Sequence, residues 1–325
     1  MMNVGSYSAV QLATAFAPNL GMLLALRALF GIAMGGEWGV GAALALETLP
    51  ARGRGFFSGL LQEGYVIGYL LASLVFALAF AHVGWRGMFI LSSVSALLVL
   101  YIRFGVEESP AWRTGASPER ASAAAALRAI RDNLPTFAYL VLLMACFNAF
   151  SHGSQDLYPT FLQAQRGFSP QLTGTLAIIM NLGALTGGIT FGALSERLGR
   201  KHAIALAALL ALPMIPLWAY AQSAVLLGVG GFLMQFMVQG AWGIVPAHLN
   251  ELSPPSVRAI LPGFAYQLGN LAVARLGPLQ AGVAQARAGD YAYSMSGTIA
   301  VVAVALLVVT LLGREARAAE LRVLS

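Results

Sequence analysis

From Asn148 to Thr160 the chain reads NAFSHGSQDLYPT. On a helix, Asn148, His152, Gln155 and Asp156 fall at i, i+4, i+7 and i+8, one face, with Ser151 and Thr160 flanking it. Asn148 to Asp156 is about 12 Å of rise. An imidazole one turn from a carboxylate is suited to proton transfer. His titrates near neutrality, and a sheltered Asp can hold a proton there. The amides and hydroxyls beside them can orient a small polar solute or bond neighbouring helices. Arg275, in GNLAVARLGPLQ, offers a second chemistry. A guanidinium binds a carboxylate in bidentate fashion. Arg275 would grip an anionic substrate or pair with a buried acid, with Gln267 and Asn270 as further donors.

The elements that position these groups are apolar. Of 325 residues, 58% are hydrophobic and 10% charged, against about 25% charged in soluble domains. Ten runs approach the roughly 20 residues that a membrane-crossing helix needs: 3–17, 20–48, 56–81, 87–103, 135–163, 172–192, 202–221, 223–248, 260–283 and 291–313. They are too long and too continuously apolar for barrel strands. The expectation is an all-α polytopic membrane protein. A central aspartate costs about 2.5–3.5 kcal/mol to insert. Water, a partner cation or a bound proton must offset that, so the Asn148–Thr160 face should border an aqueous path. Cys146, inside a span, leaves no disulfide framework and no zinc cluster. The start, MMNVGSYSAVQ, lacks the basic region of a cleavable signal.

Charge orients the chain. Alternating the loops places Arg86, Arg166 and Arg287 on one side and leaves Arg27 and Arg275 inside spans. The other fourteen of the nineteen Lys and Arg fall together, which predicts a cytoplasmic face in a bacterial inner membrane. The basic balance therefore needs no nucleic-acid partner.

Residues 37–59, EWGVGAALALETLPARGRGFFSG, repeat as AWGIVPAHLNELSPPSVRAILPG over 241–263. At a constant offset, Trp38 meets Trp242, Gly39 meets Gly243, Glu47 meets Glu251, Pro50 meets Pro254, Arg54 meets Arg258 and Gly59 meets Gly263. The chain thus reads as two parallel halves. It divides into an incomplete bundle over 1–103, a cytoplasmic linker over 104–134, a six-helix bundle over 135–313 and a tail over 314–325. The offset leaves the first two spans of 135–313 without first-half partners, and predicts that about 70 residues, two helices, are absent before Met1.

The remaining charges suggest roles. Glu37 and Glu63 could each carry a proton or neutralise Arg27. Glu37 is assigned to coupling, Glu63 and Arg27 to structure. Glu47, Arg54, Glu251 and Arg258, with Glu196, Arg197, Arg200 and Lys201, are expected to form charge latches that break and reform between states. The glycines from Gly31 to Gly41 lie in a span with no P-loop lysine, and read as close helix packing.

Three stretches resemble the major facilitator superfamily. GALSERLGRK, residues 192–201, is similar to its loop between the second and third helices of a half. Arg27-Ala-Leu-Phe-Gly31 is similar to its fourth-helix motif, and Glu108-Ser-Pro-Ala-Trp-Arg113 to the stretch after its sixth helix. Asn148-x-x-Ser151-His152-x-Ser154-Gln155-Asp156-x-x-x-Thr160 resembles the signature of the lactate-permease branch of its sialate:proton symporter family. The resemblance implies two pseudo-symmetric bundles and proton-coupled import of lactate, pyruvate or acetate by a monomer that needs no metal or nucleotide. It likewise favours Gln267 and Asn270 as substrate contacts; Arg275 is assigned to bind the carboxylate with them, and Asn148, Ser151, Gln155 and Thr160 to orient the solute. Asp156 and His152 would take the proton. Other readings are a carrier of sialate, an aromatic acid or a sugar, an inactive fragment, or a carboxylate sensor. An enzyme would need a nucleophile–base pair or metal cluster beyond His152 and Asp156.

Overall fold

The computed structural model describes residues 2–35, 41–42, 45–46, 49, 52–97, 101, 128, 130–254, 257–258 and 260–315, and among them contains helices and no strand. In chain order these are α1 (Met2–Ala15), α2 (Leu20–Gly35), α3 (Arg54–Ser92), α4 (Leu134–Gln155), α5 (Pro170–Leu198), α6 (Arg200–Ala211), α7 (Ala224–Leu252), α8 (Leu261–Val273), α9 (Leu276–Ala286) and α10 (Tyr291–Leu312). Most of the proposed linker, and Glu37 and Glu47, lie outside the described residues. Among the described residues, five segments are long and apolar enough to cross a membrane, including Leu134–Gln165 and Ala224–Leu252.

Local signals explain the boundaries. Ser169 accepts a hydrogen bond from the Leu172 N–H at 3.3 Å ahead of Pro170, and Ser223 accepts from Leu226 at 3.2 Å. Both are N-caps that satisfy an orphan donor. Gly199, at φ 90°, ends α5 and lets α6 start at the next residue, a backbone that disfavours a side chain. Gly84, at φ 61°, divides α3 where the sequence separates its third and fourth spans.

Two expected spans are not continuous. Residues 260–283 break at Ala274 and Arg275, between α8 and α9. Pro278 has no N–H to give the Ala274 carbonyl, and Gly277 precedes it. Residues 135–163 break after Gln155, and the chain resumes as a short turn over Tyr158–Thr160 and a π-helical turn over Phe161–Gln165. Here Pro159 leaves the Gln155 carbonyl without its donor. Thr160 therefore does not share the helix that carries Asn148 and His152.

Packing is closest where glycines meet. A Cβ on Gly183 or Gly187 of α5 would strike the Phe232 or Phe236 carbonyl of α7. A Cβ on Gly59 of α3, or on Gly243 of α7, would strike the Gly188 carbonyl of α5. Small residues let backbones approach this closely. Between helices, Trp242 of α7 packs edge-on against Phe147 of α4, 5.6 Å between ring centres, and donates to its carbonyl at 3.1 Å.

At one end, where α3 and α6 begin and α5 and α7 finish, charges are buried together. Glu251 accepts from Arg54 at 3.2 Å and from Arg200 at 3.0 and 3.1 Å. Arg200 also reaches Glu196 at 2.9 Å and the Ser195 hydroxyl at 2.8 Å. The Gly55 N–H donates to Glu196 as well. The Arg200 and Glu251 side chains are 0% exposed and that of Arg54 3%. Breaking such a group by removing its shared charge costs about 3–5 kcal/mol, because the partners stay buried. Glu251→Gln should therefore lower the thermal unfolding midpoint of the detergent-purified protein. Arg131→Gln, at an exposed pair, should leave it unchanged.

Candidate functional site

A cavity of about 270 Å³ lies toward the end opposite the charged cluster. Tyr65 and Tyr69 of α3 form one wall. Gln155, Asp156, Tyr158, Pro159 and Leu162 form another. Thr173, Ala177, Met180 and Asn181 of α5 and Gln235 of α7 complete it. The cavity thus lies between the first-half helix α3 and the second-half helices. The broken end of α4 positions its polar wall. Tyr158, on the turn that follows, is fixed by donating to the Trp218 carbonyl at 2.9 Å and by stacking on that indole at 5.4 Å.

Asp156 is 47% exposed at its side chain and lies 3.1 Å from Nδ1 of His152, itself 42% exposed. Asn270 of α8 lies near His152. His152 and Asp156 form a connected polar pair at the mouth of α4, with Asn270 beside it. The arrangement can hold and pass a proton beside an aqueous space.

The other residues of the stripe are placed differently. Ser151 is 7% exposed, and its hydroxyl accepts from Gln155 at 3.1 Å and Gln239 at 3.2 Å. Ser154 is fully buried, donates to the Ser151 carbonyl at 2.9 Å and accepts from Gln235 at 3.1 Å. Asn148 is 1% exposed and reaches the Tyr266 carbonyl at 3.5 Å. Only Gln155 and Asp156 of the stripe reach the cavity wall; Asn148, Ser151 and His152 do not, and Thr160 is exposed outside it. Arg275 caps the start of α9, exposed and outside the cavity, while Gln267 and Asn270 lie half-buried on α8. Below that level Gln280 of α9 donates to the Gly153 carbonyl at 3.0 Å, so the break at Arg275 sits alongside the polar end of α4.

Arg27 and Glu63 are not paired. Arg27 donates to Gln11 at 2.8 Å and Thr14 at 2.7 Å, and lies over Phe30 and Phe89 at 4.6 and 4.8 Å. Neutral acceptors and ring faces hold this cation, so a structural ion pair with Glu63 is not needed and not formed. Of the expected latch residues, Arg54, Glu196, Arg200 and Glu251 share the buried cluster. Lys201 instead donates to the Leu311 and Gly313 carbonyls at 3.2 Å each. Arg258 donates to the Asn250 carbonyl at 3.1 Å, and Arg197 is exposed.

Sequence reasoning passed over Gln235 and Gln239, one turn apart in the uncharged run LLGVGGFLMQFMVQG. The polarity that marks the α4 stripe marks these amides too. They bind Ser154 and Ser151, and Gln235 also lines the cavity. Asn181, alone in α5, gave no spacing signal.

Residues 2–155 match the Major Facilitator Superfamily family and residues 136–315 the Sugar (and other) transporter family. A Saccharomyces cerevisiae protein described as a carboxylic acid transporter protein homolog is 32% identical over 81% of this chain and 47% of its own length. The chain thus spans about half of that relative. The Escherichia coli sialic acid transporter NanX is 29% identical over 91% of this chain and 72% of its own. A crystal structure of the E. coli fucose:proton symporter FucP superposes with a TM-score of 0.72 at 14% identity, covering 95% of this chain and 80% of that one, a likeness of fold. With more than half its length matched by a transporter family, and a fold to agree, this multi-pass membrane chain belongs to the major facilitator superfamily.

Proposed function

We propose that the chain imports small monocarboxylates such as lactate, pyruvate or acetate together with protons, by alternating access between its halves. The charged end would face the cytoplasm of a bacterial inner membrane. One observation carries this reading: Asp156, in a membrane-crossing segment, opens half-exposed onto a cavity between the halves with His152 at 3.1 Å. An ionisable group at such depth is a functional candidate by default. The cavity, about 270 Å³, falls just below the roughly 300–1,000 Å³ of ordinary ligand pockets, which suits a short acid. The name of the yeast relative supports a carboxylate.

In this reading Asp156 and His152 take the proton, and Gln155 contacts the solute. Arg275, Gln267 and Asn270 close on its carboxylate as the halves rock. Asn148 and Ser151 brace the wall from behind, Thr160 borders the entrance, and Glu37 assists coupling. Breaking the Arg54–Glu251–Arg200 cluster, with Glu47, Arg258, Glu196, Arg197 and Lys201 around it, would open the inward path. A larger acid is the second reading, favoured by the name of NanX.

Radiolabelled lactate, pyruvate, acetate and sialate uptake into proteoliposomes separates these readings. Accumulation of a short acid that depends on an imposed pH gradient is expected; accumulation of sialate alone would select the second. Asp156→Asn should reduce gradient-driven lactate accumulation to the level of protein-free liposomes while membrane insertion persists. Unchanged accumulation would remove Asp156 from coupling. His152→Ala should displace the pH profile of initial uptake rate, and an identical profile would remove His152 from the relay.

A further inference from the structure

Glu63 is an ionisable group to which the proposed cycle gives no role. It lies in α3, about 14 Å of rise beyond Arg54, and is 1% exposed. Its Oε2 is buried without a partner, and among the described residues the side chain makes no hydrogen bond or ion pair. Its Oε1 rests against Gly188 of α5, so that a Cβ there would collide with it. The Gln239 carbonyl of α7 approaches the same glycine. The neighbours thus placed beside Oε1 are glycine backbone and a carbonyl oxygen, and a carbonyl cannot donate. An ionised carboxylate left this way is heavily penalised, whereas a protonated carboxyl is neutral and carries a donor of its own.

The position is where the halves touch. Gly59 of α3 and Gly243 of α7 both close on the Gly188 carbonyl. One turn nearer the charged end, the Ser58 hydroxyl accepts from the Ala247 N–H at 3.0 Å. If the halves part at the charged end, this seam opens and Glu63 meets water. We propose that Glu63 is a proton site of the seam, loaded while the charged end is closed and released when it opens. The inference rests on the alternating-access part of the proposed function, and on neither the solute nor Asp156.

The other titratable groups on elements packed against α3 have the opposite effect. α1 carries none but Tyr7 among Tyr, His and charged types. α5 brings Glu196 and Arg197, with Arg200 just beyond, and α7 brings His248 and Glu251, all about 12 Å or more of helix rise from the Gly188 and Gln239 contacts. Tyr65 and Tyr69 of α3 face the cavity. Protonating Glu196 or Glu251 dissolves the buried cluster. Protonating His248 adds a charge beside Arg200 and Lys201. Each loosens the closed end as pH falls. Protonation of Glu63 tightens it, so the sign of the response identifies the group.

The test measures position without any solute. In a Cys146→Ser background, spin labels at Arg52→Cys and Leu198→Cys report the distance between halves at the charged end; both sites are exposed. Double electron–electron resonance in nanodiscs would follow it from about pH 5 to about pH 8. One linked proton changes the closed-to-open ratio by up to about tenfold per pH unit. The short-distance population should grow with acid by up to that factor, and Glu63→Gln, neutral and of the same shape, should hold it at every pH. Infrared difference spectra of the parent should contain a protonated-carboxyl stretch in the closed state that Glu63→Gln lacks. Distances that ignore pH or lengthen in acid, a Glu63→Gln protein that titrates like its parent, or no such band would each overturn the proposal. Absent lactate uptake alongside the expected titration would sink the substrate reading and leave this one standing.

Discussion

A carboxylate shared by two guanidiniums at zero exposure holds the charged end of this molecule together. Glu251 reaches Arg54 of α3, in the first half, and Arg200 at the start of α6, in the second. Two buried cations could not occupy that space without it, and it could not be buried without them. The glycines follow from the same requirement. Arg200 and the Gly192 carbonyl occupy the place where a side chain on Gly55 would stand. The helices must come to backbone contact for the charges to meet, and only small residues permit it. Charge and glycine therefore specify one geometry.

Away from that end, the bilayer sorts polar groups by whether they find partners. Ser151, Ser154, Gln235 and Gln239 satisfy one another across α4 and α7. They are interhelical bonds, each of modest worth. Asp156 and His152 bond each other and remain partly exposed beside the cavity. Glu63 is 1% exposed, and its Oε2 has no partner among the described residues. Three fates within one membrane layer distinguish glue, site and seam more sharply than residue type does.

Helix existence was legible because apolar length alone decides it in lipid, and the polar stripe because charge there is costly. Where helices break was less legible. Pro159 and Pro278 stood in the sequence, yet proline is tolerated within long spans, as Pro246 of α7 demonstrates. Only neighbouring packing decides which proline interrupts. The repeat aligned Arg54 with Arg258 and Glu47 with Glu251, but it did not reveal that Arg54 would cross to Glu251 of the other half. Pairing across a pseudo-symmetric interface is a tertiary fact that spacing does not encode. Arg27 misled for a related reason. A cation within a span invites a search for an acid, and here two neutral oxygens and two aromatic faces take its place.

The two ends of the α3 interface have different physics, and that difference makes alternation plausible as mechanics. Near Tyr65 and Tyr69 the halves are separated by solvent-sized space. Near Gly55 and Gly59 they meet backbone to backbone. A gap of about 0.5–1 Å already forfeits a quarter to a half of the dispersion well, and a buried ion pair that loses one partner leaves an uncompensated charge. Such a contact has no stable half-open form. It is made or lost as a unit, which is the bistability that rigid-body switching requires. A carboxyl lodged in that contact shares its two states. On the proposed reading it is dry and neutral in one, and wet and free to ionise in the other, so that parting the glycines would also move a proton.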